Sequence, residues 1–348
     1  MLVFAVETSC DETSVSILDS SKNILSHIIY SQEEHKKFGG VIPEIASRAH
    51  LQILQKISVK ALEQAKIPIN EIDVFCSTCG PGLIGGLLVG SIFTKALAIG
   101  TKKPFVPINH LEGHILSPTF NNDMQYPFLC FLLTGGHTQI YLVNSIDNYE
   151  LIGESLDDAV GEAFDKVSKL IGMGYPGGPE IEKLSKYGDE NSISLPHPLK
   201  KNKDLNFSFS GVKTAISLII KKQNTINDEF RYNLSASFQK KISEILANKF
   251  LLSLDYLKNK KINIKQVALV GGVAANKYIY KKIKDIAITK QINIIMPQND
   301  MLSDNAAMIG WACLQKIKIK KIDNLFFKEN PRLVISVSYT HLTLQTNP

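Results

Sequence analysis

Residues 2 to 9, apolar from Leu2 to Val6, read as a strand, Cys10 to Glu12 as a short polar turn, and Ser14 to Leu18 and Asn23 to Tyr30 as two further strands. Short apolar runs separated by polar turns predict three strands in an antiparallel meander. The same order recurs later. Pro127 to Leu133 reads as a strand, Thr134-Gly135-Gly136-His137 as a turn, and Thr138 to Val143 and Tyr149 to Glu154 as two more strands. After each meander come helical segments and then a strand that enters a glycine turn and a helix. In the first half this is Val74 to Thr78, Gly80 to Gly86 and an apolar helix to about Ile99; in the second it is Gln266 to Val270 and Gly271 to Asn276. Strands mixed with crossover helices, twice over, predict two related α/β lobes with a cleft between them.

A chain of 348 residues, 44% hydrophobic and 21% charged, has the size and composition of a globular protein with two cores. The first residues lack a basic leader, and no segment gives about 18 uninterrupted apolar residues, so a cytosolic location is expected. A net charge of +6 permits a nucleic-acid partner without requiring one. The denser basic stretches, Lys200, Lys201 and Lys203, then Lys316, Lys318, Lys320 and Lys321, read first as solvated faces. The five cysteines, Cys10, Cys76, Cys79, Cys130 and Cys313, are odd in number and scattered, which argues for reduced thiols. Cys76 and Cys79 form a CxxC without the second pair of a zinc ribbon, so they are expected in the core beside a strand end.

Gly80, Gly82 and Gly85 match the GxGxxG of dinucleotide-binding folds, but no acidic residue follows between Gly86 and Leu111 to hold a ribose. The glycines therefore predict a tight turn that admits an anion or lets a buried helix pack closely. His110 and His114 stand four residues apart, on one face if the segment is helical, a spacing that lets two imidazoles reach one metal ion. Glu112 is one place away from the glutamate of an HExxH metalloprotease, which turns it by about 100° on a helix. A third ligand has to come from elsewhere, and Asp304 in Ser303-Asp304-Asn305 is the candidate, with helix capping as its other reading. Asp158, Glu162 and Asp165 fall on one helical face between two glycine turns, a placement suited to ribose hydroxyls.

Ten segments together are more specific than any one. ETSCDETS from Glu7, GGVIPEIASRAH from Gly39, GPGLIGGL from Gly80, NHLEGH from Asn109, LLTGGHTQ from Leu132, DDAVGEAFDK from Asp157, YPGGP from Tyr175, FSFSGVKTA from Phe207, GGVAAN from Gly271 and SDNAAMIG from Ser303 resemble the TsaD family in order and spacing, from Met1 to about Arg332. The duplicated lobes likewise resemble the actin, hexokinase and Hsp70 (ASKHA) superfold. The first lobe is expected over 1–115 with about 301–332, and the second over about 126–300.

The resemblance implies transfer of a threonylcarbamoyl group from threonylcarbamoyl-AMP to the exocyclic amine of the adenosine 3′ of the anticodon, in tRNAs reading codons that begin with A. It implies one divalent metal on His110, His114 and Asp304, taken as Fe(2+) in this family with Zn(2+) as the alternative. It implies adenylate contacts from Leu132, Leu133, Thr134, Gly135, Gly136, Asp165, Gly178, Glu182 and Asn276, and phosphate-facing acids at Asp11 and Glu12. The family's protein partners are TsaB and TsaE.

An exocyclic amine is a poor nucleophile, so the acyl donor has to be activated and its carbonyl polarised. The base for the amine proton is left open among His137, Asp11, Glu12 and the donor's own phosphate. Phe207 and Phe209 are candidates to stack on an RNA base, with a core position as the other reading. A metallopeptidase would share the histidines but lacks a placed Glu, and a nucleotide-binding scaffold subunit would lack the metal ligands. The stretch 336–348 matches no family motif and is expected to be a disordered or artefactual tail, so His341 is left out of the metal set.

Overall fold

The computed structural model describes residues 1–223, 225–319 and 324–335; the tail at 336–348, with His341, and the basic residues Lys320 and Lys321 lie outside them. The three expected strands are β1 (Leu2–Glu7), β2 (Glu12–Asp19) and β3 (Ile24–Ser31). They form an antiparallel meander, and β4 (Val74–Gly80) and β5 (Phe105–Asn109) add to it in parallel, giving the order β3-β2-β1-β4-β5. β6 (Phe128–Leu133), β7 (Thr138–Ser145) and β8 (Asn148–Glu154) repeat the meander, and β9 (Gln266–Val270) and β10 (Asn293–Ile295) extend it to β10-β9-β6-β7-β8. The fold is a two-lobed α/β structure with one mixed sheet in each half.

In the first half, α1 (Pro43–Ala65) and α2 (Ile84–Thr101) pack against one another and on one side of the sheet. By length and composition alone α2 is apolar enough to cross a membrane, with mean hydropathy 1.5, but its buried Leu87 and Ala98 face the protein interior. The short α3 (His110–Leu116) follows β5 directly. The second half carries α4 (Val160–Leu170), α5 (Gly177–Ser185), α6 (Ser210–Lys221), α7 (Asp228–Asn259) and α8 (Lys277–Thr289). The chain then returns, and α9 (Ala306–Lys318) packs on β1, β2, β4 and β5 of the first sheet.

The two halves share a core. One apolar cluster runs from Val3 and Ala5 on β1, through Leu111 and Ile115 on α3 and Met308 and Ile309 on α9, to Cys130 and Leu132 on β6 and Ala268 and Val270 on β9. Burial of that kind contributes about 25 cal/mol per Å² of apolar surface, so α3 and α9 act as a wedge between the sheets. Cys76 and Cys79 lie buried in β4, as expected of core thiols, and burial pushes Cys79 up to about 12.

The glycine turn after β4 serves close packing. A Cβ on Gly82 would fall 2.6 Å from the Ser9 carbonyl oxygen, and one on Gly86 would fall 2.2 Å from that of Thr8. The start of α2 is thus pressed against the end of β1, where Thr8 Oγ1 donates to the Gly86 carbonyl at 2.9 Å. Gly86→Ala should therefore lower stability by about 1–3 kcal/mol through overpacking, read as a lower urea midpoint; an unchanged midpoint would show that the β1 turn yields freely.

Candidate metal centre and active-site cleft

In both sheets the parallel strands end on the same side. In open α/β sheets, ligands bind in the crevice outside those carboxyl ends. In the first half these are Glu7 to Ser9 after β1, Gly80 to Gly82 after β4 and Asn109-His110 after β5; in the second they are Thr134 to Gly136 after β6 and Gly271-Gly272 after β9.

Asn109 caps α3, its Oδ1 accepting from the Leu111 amide at 2.9 Å, and the helix sets His110 and His114 on one face. The α9 cap is Asn305, which accepts from the Met308 amide at 2.9 Å. Asp304 is thereby released from the capping role that its position suggested. Its Oδ1 lies 3.0 Å from His114 Nε2 and 3.4 Å from His110 Nε2. One ligand atom from each of the three residues falls within 4.8 Å of the others.

Glu7, part of the ETSCDETS segment but given no role from sequence, stands behind His110. Its Oε2 is 3.2 Å from His110 Nδ1, its Oε1 accepts from the Ser9 amide at 2.6 Å, and Thr78 Oγ1 also donates to it. A carboxylate behind the second ring nitrogen fixes imidazole orientation and raises ligand basicity. Burial opposes charge on His110, but Asp304 and Glu7 hold its pKa well above the ordinary imidazole range. Burial and the neighbouring His110 lower the pKa of His114 despite Asp304, favouring the neutral imidazole that ligates metals. Burial likewise opposes ionisation of Asp304, yet His110 and His114 hold its carboxyl well below the usual carboxylate range. A cation here would displace the proton from His110, and two neutral imidazoles and one carboxylate then fit a divalent cation with coordination positions left for a substrate.

Asp11 lies in the hairpin turn beside this cluster, and Glu12 opens β2. Asp11 Oδ2 accepts from Tyr175 Oη at 3.3 Å, a contact from one half of the protein to the other. Burial, followed by the charges of Asp11 and Asp304, pushes the Glu12 carboxyl well above its ordinary range. His137 is pushed down to about 4 by burial and by His110 and His114, so it is neutral at physiological pH.

On the second side, Gly135, Gly136 and Gly178 have open space where a side chain would stand. Leu132 and Leu133 are fully buried in β6 and can meet a ligand only through the main chain. Asn276 caps α8 through Oδ1 and donates from Nδ2 to Gln239 at 2.8 Å, while Glu182 Oε1 accepts from the Lys277 amide at 2.9 Å. Of the acids expected on one helical face, only Glu162 and Asp165 are on α4, while Asp158 precedes the helix; Asp158 and Glu162 both bind Lys166 at 2.7 Å, and Asp158 also binds Lys213 at 3.1 Å. Asp165 differs. Its Oδ1 accepts from the Gly177 amide at 2.7 Å, and burial, helped by Asp11 and Glu162, pushes its carboxyl up to about 6.

Phe207 and Phe209 are completely buried and lie ring to ring, centroids 5.9 Å apart, so they belong to the core and not to an RNA-stacking surface. Glu112 is also buried, held by Tyr149 and Lys316, and does not reach the histidine cluster as the base of a peptidase would.

Comparison with known proteins places the chain in a family. Residues 23–311 match the family model for TsaD, tRNA N6-adenosine threonylcarbamoyltransferase. The chain is 42% identical over 330 residues to the tRNA N6-adenosine threonylcarbamoyltransferase of Wolbachia pipientis wMel, covering 95% of this chain and 97% of that one. It is 47% identical over 315 residues to that of Thermosipho melanesiensis, covering 90% and 94%. Among solved structures, full-length HypF in its phosphate- and nucleotide-bound form superposes with a TM-score of 0.58 at 13% identity, over 92% of this chain and 46% of HypF. Component A of the Acidaminococcus fermentans (R)-2-hydroxyglutaryl-CoA dehydratase gives 0.51 at 13% identity, over 91% and 99%. These two likenesses concern the fold alone.

A carboxyl whose pKa is higher in the folded than in the unfolded state disfavours folding once the unfolded chain ionises; for Asp165 the penalty is absent below about 3.8, grows as pH rises from there to about 6, and is complete above it. Asp165→Asn should therefore raise the melting temperature most at about pH 8, less at about pH 4.5 and hardly at all at about pH 3. Equal shifts at all three pH values would contradict the assignment.

Proposed function

The chain belongs to the TsaD family and is a tRNA N6-adenosine threonylcarbamoyltransferase, and from that premise we propose that its reaction depends on one divalent metal ion held by His110, His114 and Asp304. The observation that carries this reading is the approach of both Nε2 atoms to one Asp304 oxygen, with Glu7 behind His110. Such an ion, Fe(2+) or in its place Zn(2+), supplies Lewis-acid polarisation of donor oxygens.

In this reading the donor is threonylcarbamoyl-AMP and the acceptor is the N6 amine of the adenosine immediately 3′ of the anticodon, in tRNAs reading codons that begin with A. The open backbone at Gly135, Gly136 and Gly178 lets amides approach the adenylate, where oriented dipoles stabilise developing charge. Thr134 shapes the first of these turns by accepting from the His137 amide at 2.9 Å. Asp165, Glu182 and Asn276 line the nucleoside end, with Leu132 and Leu133 holding the turn from within the sheet. Asp11 is oriented by Tyr175 toward the donor phosphate. Glu12, kept protonated by burial and by Asp11, is suited to donate a hydrogen bond to that phosphate as it leaves. His137 is neutral under the same conditions but, lowered to about 4, is a weak base, so the donor's own phosphate is the better acceptor of the amine proton.

A protein partner of the TsaB type completes this reading, with TsaE joining the pair, and a cytosolic location goes with a tRNA substrate. The surface that fits TsaB is the outer side of α1 and α2, two helices packed where Gly85 meets Ser47. It leaves Leu51, Val59, Ile84, Leu88, Ile92 and Ile99 exposed, Ile92 at 59% and Leu51 at 70%. Contiguous apolar exposure of this kind marks an interaction site.

Incubated with its protein partners, threonylcarbamoyl-AMP and unmodified tRNA, the protein should yield modified nucleoside and AMP, read by mass spectrometry of digested tRNA. His110→Ala should lose bound metal and product together. Full metal content in that variant would place the ion elsewhere. Ile92→Glu should abolish co-elution with TsaB while melting like the parent; intact co-elution would exclude the α1 and α2 surface.

A further inference from the structure

Glu112 sits midway between the two histidines of α3, about 200° around the helix from each, and so points away from the cluster. Its surroundings are unusual for a residue outside the reaction. It is 2% exposed; its Oε2 lies 2.7 Å from Lys316 Nζ, and its Oε1 accepts from Tyr149 Oη at 3.0 Å. Lys316 belongs to the last turn of α9 and Tyr149 to β8, so one carboxylate joins α3, the helix that follows Asp304, and the second sheet. α3 meets α9 at another place, where a Cβ on Gly113 would fall 2.9 Å from Ile309 Cδ1. A packing contact of that sort allows sliding and rotation, whereas a buried ion pair at a distance from it does not.

We propose that the Glu112–Lys316 pair, completed by Tyr149, is a positioning strut that sets α3 against α9 and thereby the separation of His110 and His114 from Asp304. The metal part of this inference rests on the reading above. Removing one partner of a buried ion pair strands the other, whereas replacing both by apolar groups of similar volume is often neutral for stability. A strut and a merely stabilising pair therefore part company in the double replacement. The strut needs the length and direction of the pair, so the cluster geometry is lost even when stability returns.

The test compares Lys316→Met, the double variant Glu112→Leu/Lys316→Met, and Lys316→Arg. Lys316→Met should melt lower and bind Fe(2+) or Zn(2+) at least about tenfold more weakly in equilibrium dialysis, the range seen when groups that orient metal ligands are lost. The double variant should regain most of the melting temperature lost in Lys316→Met, short of it only by the cost of the Tyr149 hydroxyl left without its acceptor, but not the affinity, and Lys316→Arg should retain both. A double variant with parental affinity would overturn the strut. In the metal-free protein, nitrogen-correlated NMR of His114 gives a second readout: its Nε2 signal should lose the signature of bonding to Asp304 in the double variant. An unchanged signal would overturn the strut whatever the metal does. His110→Ala is the control, since undiminished metal binding there would fail the metal reading and leave the strut to be judged on the imidazole signal.

Discussion

A carboxylate taken out of water needs positive charge or hydrogen-bond donors around it, and Asp304 finds them in the two imidazoles of α3. Much of the architecture answers to that meeting. It requires a helix that starts at the end of β5, a second helix whose cap is handled by the next residue, and a hairpin from β1 that brings Glu7 behind His110. The three segments are far apart in sequence and converge because β1, β4 and β5 are parallel and end together. The glycines of the turn after β4 let α2 close upon the β1 end without displacing it.

What was legible in the chain was whatever is written locally. The strand meanders and the helical spacing of His110 and His114 are periodic features, and Asp304 stood out because a carboxylate beside a helix start has few roles. Glu7 was invisible as a functional residue because its partners, Ser9, Thr78 and His110, include two that are distant in sequence. The acids from Asp158 to Asp165 do not make one ligand-facing row, because Asp158 precedes α4 and is paired with lysines. Lys166 lies within four residues of Glu162 and could have been weighed, but Lys213, the other cation on Asp158, comes from another helix. Phe207 and Phe209 sit beside lysines in sequence and inside the protein in space. β5 drew no strand assignment, and its Pro107 fits that strand's place at the sheet edge, where a missing amide is tolerated.

The resemblance to known transferases and the physical reading of the cluster support one another from different sides. Identity over nearly the whole chain establishes the chemistry, while the geometry explains why these side chains suit it. The cleft offers neutral and protonated groups beside charged ones, a separation of protonation states produced by burial and neighbouring charge.

The return of α9 to the first sheet also bears on how the chain acquires its shape during synthesis. One face of β1, β4 and β5, carrying Val3, Ala5, Val74, Cys76 and Ile108, is covered by residues 306–318. As the polypeptide leaves the ribosome, that greasy surface waits until α9 has been made. The stretch from β6 to β10 shares one sheet face with α3 and α9 but packs its other face on its own helices, so that layer can reach a native-like arrangement earlier. The amino-terminal half is therefore the part most in need of chaperone cover, and the part that closes last.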